Sequence, residues 1–100
     1  MNKQEYLLTK LSEECAEVAQ RVSKILCFGI DEKEPGQELT NEQRLKGEYY
    51  DLLAVFEMLE DEGFVIQDAN FEVRQAMINK KAKVKKFMEY SRTQGRLSNE

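Results

Sequence analysis

Four carboxylates in two stretches of the chain have the types and spacing for divalent-metal chemistry. They are Glu14 and Glu17, within Glu13-Glu14-Cys15-Ala16-Glu17, and Glu48 and Asp51, within Glu48-Tyr49-Tyr50-Asp51. Residues three apart on a helix share one face. Facing each other across a helix pair, these groups would make an oxygen-only pocket of the hard kind that suits Mg²⁺ or Mn²⁺. An ion held there could serve phosphate chemistry as a Lewis acid. Spacing alone does not select them. Among 19 acids in 100 residues, about three or four pairs at this spacing arise by chance, a simple estimate on the helical-neighbour rule. Four occur: Glu14/Glu17, Asp31/Glu34, Glu48/Asp51 and Glu57/Glu60. Solvated helix faces are therefore a competing reading. At ~100° per residue, Glu14/Glu17 and Glu48/Asp51 border the apolar stripes of their helices. Glu57/Glu60 borders the other edge of the second stripe, so the wheel does not choose between the two pairs on that helix.

The neighbouring charges add to the case. Lys10, Arg21 and Lys24 share the flank of Glu14 and Glu17, and Arg44 and Lys46 precede Glu48. A basic run follows later, with Arg74, Lys80, Lys81, Lys83, Lys85, Lys86 and Arg92. A metal with Lys and Arg around one pocket is the recipe for holding a triphosphate, although a run of lysines also reads as an ordinary salt-bridging face. The five glycines are scattered, so no Walker-type loop cradles phosphate through backbone amides.

Composition bounds the alternatives. The chain has no histidine, which excludes thiolate–imidazole and Ser-His-Asp nucleophiles and disfavours zinc. Cys15 and Cys27, if on one helix, stand ~18 Å apart, too far to bridge. Both read as reduced thiols, with Cys15 on the apolar stripe and in the core. The net charge of −4 argues against a general nucleic-acid coat. Apolar residues at 41% and charged residues at 34% fit a soluble helical protein. No apolar run reaches membrane-spanning length, and Met1-Asn2-Lys3-Gln4-Glu5 does not open a signal peptide. The expected location is the cytosol, bacterial or that of a phage-infected host.

The elements that must position the carboxylates follow from periodicity. A first helix is expected over about 3–27, capped by Asn2 with Glu5, with a stripe of Leu7, Leu11, Cys15, Val18, Val22 and Ile25. Gly29 ends it. Residues 31–39, with the only proline, read as a loop with at most one short helical turn. A second helix starts at Thr40 or Asn41, where Thr40 and Gln43 form a capping box, and continues to about Glu62 before Gly63. Its stripe is Leu45, Tyr49, Leu52, Val55, Phe56 and Leu59. Phe64-Val65-Ile66 is a tight packed connector rather than a strand. A third helix spans about 68–91, with Ala69, Val73, Ala76, Met77, Val84, Phe87 and Met88 as its stripe. The expectation is an all-α bundle of three long helices, one domain over 1–92 with a polar, frayed tail at 93–100. A single core of this size is thin, so an oligomer is expected.

Glu-Glu-x-x-Glu on one helix and Glu-x-x-Asp on the next resemble the MazG-like all-α nucleoside triphosphate pyrophosphohydrolases. Leu11-Ser12, Ala16 and Val18 around the first motif, and Leu52-Leu53-Ala54 after the second, match as well. The stretch from Lys24 to Gly29 and the entry Thr40-Asn41-Glu42 look like the short, often phage-encoded members. The resemblance covers about residues 5 to 90. It departs from the pattern in the 30 residues between Glu17 and Glu48, a long separation absorbed by the loop. The resemblance implies cleavage of a (deoxy)nucleoside triphosphate between the α and β phosphates, giving monophosphate and pyrophosphate. It implies Glu14, Glu17, Glu48 and Asp51 as ligands of Mg²⁺ (or Mn²⁺), and Glu13 as an auxiliary to the attacking water. Lys24, Arg44, Lys80 and Lys83 would neutralise phosphate, and Asn79 would contact phosphate or sugar. Tyr50 and Phe28 could stack on a base, though core packing is the commoner fate of such rings. A homodimer or homotetramer is implied too. Phosphoribosyl-ATP pyrophosphohydrolase and dUTPase or dCTPase enzymes share such a metal site, and a non-catalytic helical interaction module is the reading from outside enzymology.

Overall fold

The computed structural model describes residues 1–100. It is all-helical, without a strand: α1 spans Lys3–Phe28, α2 spans Asn41–Asp61 and α3 spans Asn70–Thr93. Both expected capping boxes form. Asn2 accepts from the Glu5 amide while the Glu5 side chain accepts from the Asn2 amide, and Thr40 and Gln43 do the same at α2. Each box satisfies two otherwise orphaned donors. Gly29 closes α1, its amide donating to the Ile25 carbonyl at φ +102°. α3 begins later than expected, after Ala69, which supplies no side-chain cap. No short helix occurs between α1 and α2.

The chain divides into two compact units, residues 1–66 and 67–100. In the first, α1 and α2 pack as an antiparallel hairpin. Leu7, Val55 and Leu59 form its buried core, with Leu11 packed against them. Full burial of such a side chain stabilises by about 1.5–3 kcal/mol. The inward rows are regular. On α1 the less exposed positions include 7, 11, 14, 18, 21 and 25, and on α2 they include 41, 45, 48, 52, 55 and 59. These alternate steps of four and three are the a/d seam of a coiled coil.

That seam corrects the expected stripes. Cys15 is exposed, not core, and Val22 and Tyr49 are exposed as well. Phe56 is also more exposed than its place in the stripe implied. The inward places next to Cys15 and Val22 belong instead to Glu14 and Arg21, and the one next to Tyr49 belongs to Glu48. Polar side chains thus interrupt the seam where a purely apolar reading skips past them. Phe28 and Tyr50, for which core packing was the commoner expectation, are both more than half exposed. Phe64, Val65 and Ile66 are exposed rather than packed, and Val65 adopts φ +54°, a left-handed conformation that costs a β-branched residue about 1–3 kcal/mol.

In the second unit, α3 buries no residue fully. Its end turns back: the Gln94 amide donates to the Tyr90 carbonyl, the Arg96 amide to Ser91, and Arg92 Nε to the Ser98 carbonyl. Gly95 supplies the positive φ this turn needs.

Candidate metal centre

Midway along the hairpin, the seam positions Glu14 of α1 and Glu48 of α2 inward. One helical step of three brings Glu17 and Asp51 alongside on the solvent edge. Ligand oxygens from all four lie within 4.8 Å of one another. Oxygens on opposite sides of one Mg²⁺ at ~2.1 Å stand ~4.2 Å apart, so small side-chain rotations would close the four on an ion. Ca²⁺, with ligands at ~2.3–2.6 Å, fits the spread equally well. The structure separates the pairs on α2 that spacing left open: Glu48 and Asp51 join the cluster, while Glu57 and Glu60 lie outside it on the exposed surface.

The electrostatics of the four are unfavourable without a cation. Burial pushes the Glu14 carboxyl above its ordinary value, and the charge of Glu17, hydrogen bonding with Glu17 and the charge of Asp51 push it further, against a pull from Lys10. Burial likewise raises Glu48, followed by hydrogen bonding with Glu17 and the charges of Glu17, Asp51 and Glu14. Glu14 Oε2 and Glu48 Oε2 are buried without a hydrogen-bond partner. An acceptor of that kind is costly to bury unsatisfied, and a divalent ion would both satisfy it and reverse the repulsion. The donor set is hard oxygen throughout, so the residues fit a hard divalent cation of the Mg²⁺, Mn²⁺ or Ca²⁺ class.

One turn nearer the loop lies a cationic layer. Arg21 is 7% exposed, and its Nη1 donates to Asn41 Oδ1 at 3.2 Å. Asn41, 1% exposed, donates through Nδ2 to the Gly29 carbonyl and to Glu32 Oε1. Arg44 Nη1 donates to Glu34 Oε2 at 2.8 Å, and Lys24 Nζ stands 3.9 Å from Glu34 Oε1. Lys24 also lies over the Phe28 ring, 5.7 Å from its centroid. The two phosphate-binding candidates of the hairpin, Lys24 and Arg44, are thus engaged with a loop carboxylate.

Glu13 and the candidates of α3 each have surroundings of their own. Glu13 lies outside the four, paired with Lys10 at 3.0 Å on the exposed side of α1. In the second unit, Lys80 and Lys83 line a cavity of about 440 Å³ with Val84, Phe87 and Arg96. The Asn79 Oδ1 accepts from Gln75 Nε2 at 2.9 Å. The sequence read Arg21 only as one of the flanking cations, not as a buried one, and gave Asn41 and Glu34 no part in the site. A signal for the first two was present: Arg21 follows Glu14 by seven residues and Asn41 precedes Glu48 by seven, the repeat of an inward seam. Compared with known proteins, the chain matches no family model, no curated protein and no solved structure.

Proposed function

We propose that the protein is a Mg²⁺- or Mn²⁺-dependent pyrophosphohydrolase of the MazG-like kind, acting on a (deoxy)nucleoside triphosphate. Water attacks the α phosphorus, the α–β anhydride bond breaks, and a nucleoside monophosphate and pyrophosphate leave with the protons of the water shared between them. The observation that carries the reading is the set of four carboxylates from two helices, two of them with buried, partnerless oxygens. Glu14, Glu17, Glu48 and Asp51 would hold the ion, which supplies charge neutralisation on phosphate and a more acidic bound water. Arg21, Lys24 and Arg44 lie on the same hairpin, next to the four along the helices, and suit the remaining phosphate charge. For Glu13 to orient the attacking water, it would first have to leave Lys10. Phe28, whose ring Lys24 overlies, and Tyr50, in edge contact with Tyr49, are exposed and are the candidates to stack on a base.

The test is a panel of nucleoside triphosphates with Mg²⁺, scored for monophosphate and pyrophosphate. Phosphoribosyl-ATP, dUTP and dCTP belong on it, because the same metal chemistry serves them all. Turnover of at least one substrate is expected, and Glu14→Gln and Glu48→Gln should fold yet lose it by at least ~10²-fold, since each removes a ligand that acts on the transition state. Near-normal turnover in either variant would sink the ligand assignment. A second reading, a non-catalytic helical module, draws on the exposed basic face of α3. It predicts no turnover with any substrate and no response to divalent ions.

A further inference from the structure

The loop between α1 and α2 carries its own anion into the cationic layer. Glu34 faces three positive groups: it is bonded to Arg44, stands near Lys24, and lies within the electrostatic reach of Arg21. Arg21 is more than nine-tenths buried, and its Nε has no acceptor. A buried guanidinium with an idle donor is costly unless an anion completes it. Three cations face the carboxylate of Glu34 and, linked through Asn41, that of Glu32, which leaves one positive charge in excess within the layer. A phosphate group, with more charge and three acceptor oxygens, would satisfy such a site better than a carboxylate does.

The loop is also built in two parts. Its first part is fastened: the Asn41 amide donates to the Glu32 carbonyl, the Glu42 amide to Ile30, and Asn41 Nδ2 to Glu32 and Gly29. Beyond Glu32, the side-chain ties to α1 and α2 are those of Glu34, whose side chain and that of Lys24 keep 40% and 38% of their surface exposed. Residues 33–39 can therefore leave while 29–32 stay in place. Arg44 beside Glu34 holds its carboxyl below the ordinary value, so the tie keeps its charge near neutral pH.

We propose that Arg21, Lys24 and Arg44 form a site for a phosphate-class polyanion, and that Glu34 is a built-in competitor which occupies it in the free chain. Binding of the anion displaces Glu34 and frees residues 33–39. The inference deepens the pyrophosphohydrolase reading, under which the anion is the phosphate tail of the substrate, but its test needs neither metal nor turnover.

Inorganic pyrophosphate is titrated in EDTA by calorimetry into the wild type, Glu34→Gln and Arg44→Gln, with sulfate at matched ionic strength as control. A nucleoside triphosphate forms a second arm. Helix content by circular dichroism confirms that each variant folds. Glu34→Gln should bind pyrophosphate about fivefold tighter, the order expected for removing one partly exposed competing pair, and Arg44→Gln at least tenfold weaker. In the wild type, saturating pyrophosphate should speed amide exchange across 33–39 and leave the Asn41 and Glu42 amides protected. The nucleotide binding like pyrophosphate marks the site as a tail subsite. Its failure to compete with pyrophosphate would overturn the link to the substrate. Equal affinity in Glu34→Gln and wild type, binding no stronger than that of sulfate, or unchanged exchange over 33–39 would each overturn the proposal. None of these results depends on hydrolysis, so a negative nucleotide panel and a negative anion titration remain separate findings.

Discussion

Glu14 and Glu48 occupy seam positions that ordinarily hold leucine or valine, and their ionisation is opposed by burial and by each other's neighbours. Both carboxyls are raised above the ordinary value of 4.5, so the folded chain keeps protons that the unfolded chain releases. Without metal, these two groups leave stability untouched below pH 4.5 and erode it as pH rises through their raised values. A divalent ion removes that penalty. Mg²⁺ should therefore raise the melting temperature more at pH 7.5 than at pH 5, by about 1.4 kcal/mol for each tenfold excess over Kd, or roughly 5 °C or more in a domain of this size. Scanning calorimetry at both pH values, with and without Mg²⁺, reads this directly. A gain at pH 5 as large as at pH 7.5 would contradict the cluster as the site. The metal-free Glu14→Gln variant should melt above wild type at pH 7.5, because it removes one charge from the four.

At the scale of the helix pair, the seam explains both what the sequence revealed and what it concealed. The capping boxes at Asn2/Glu5 and Thr40/Gln43 were legible because they need only local residues at fixed offsets. So were the helix spans, to within about two residues, a margin at which helix ends are ill-defined anyway. The pairing of Glu14/Glu17 with Glu48/Asp51 was legible as a motif, although Glu57/Glu60 had an equal claim by angle. Only the partner helix decides which border is inward. Cys15 and Val22 misled for the same reason: an apolar side chain one position from the seam resembles a seam residue when read alone. Asn41 was concealed because its value lies in three long-range hydrogen bonds, to Arg21, Gly29 and Glu32. Asn41→Ala leaves a buried guanidinium with less to bond, and should cost about 1–3 kcal/mol. Leu59→Ala, at the fully buried end of the hairpin, should cost about 2–5 kcal/mol. Urea titration ranks the two, and a cost for Asn41→Ala below a few tenths of a kcal/mol would refute its role as the clamp of the loop.

At the scale of the molecule, the core is small for the surface it must support. Three apolar side chains are buried, while Val22, Leu26, Phe28, Leu53, Phe56 and Met58 of the hairpin remain exposed. A chain of this length is marginal on its own burial, and exposed apolar area of this kind commonly marks an interface. We expect a homodimer or homotetramer in solution, measured by sedimentation equilibrium. Leu26→Glu combined with Phe56→Glu should shift the protein toward monomer and lower its melting temperature. A wild-type monomer at micromolar concentration would refute this expectation. No helix of the chain is long and apolar enough to cross a membrane.

The spacing of the seam also limits how the hairpin can change length. Between Glu17 and Arg21, one inserted residue would rotate the rest of α1 by ~100°, turning the guanidinium outward while Glu14 and Glu17 kept their place. Seven inserted residues would return the original facing but slide the two layers apart by ~10 Å. Related chains should therefore vary freely in the loop at 33–39 and keep the stretch between these two side chains at constant length.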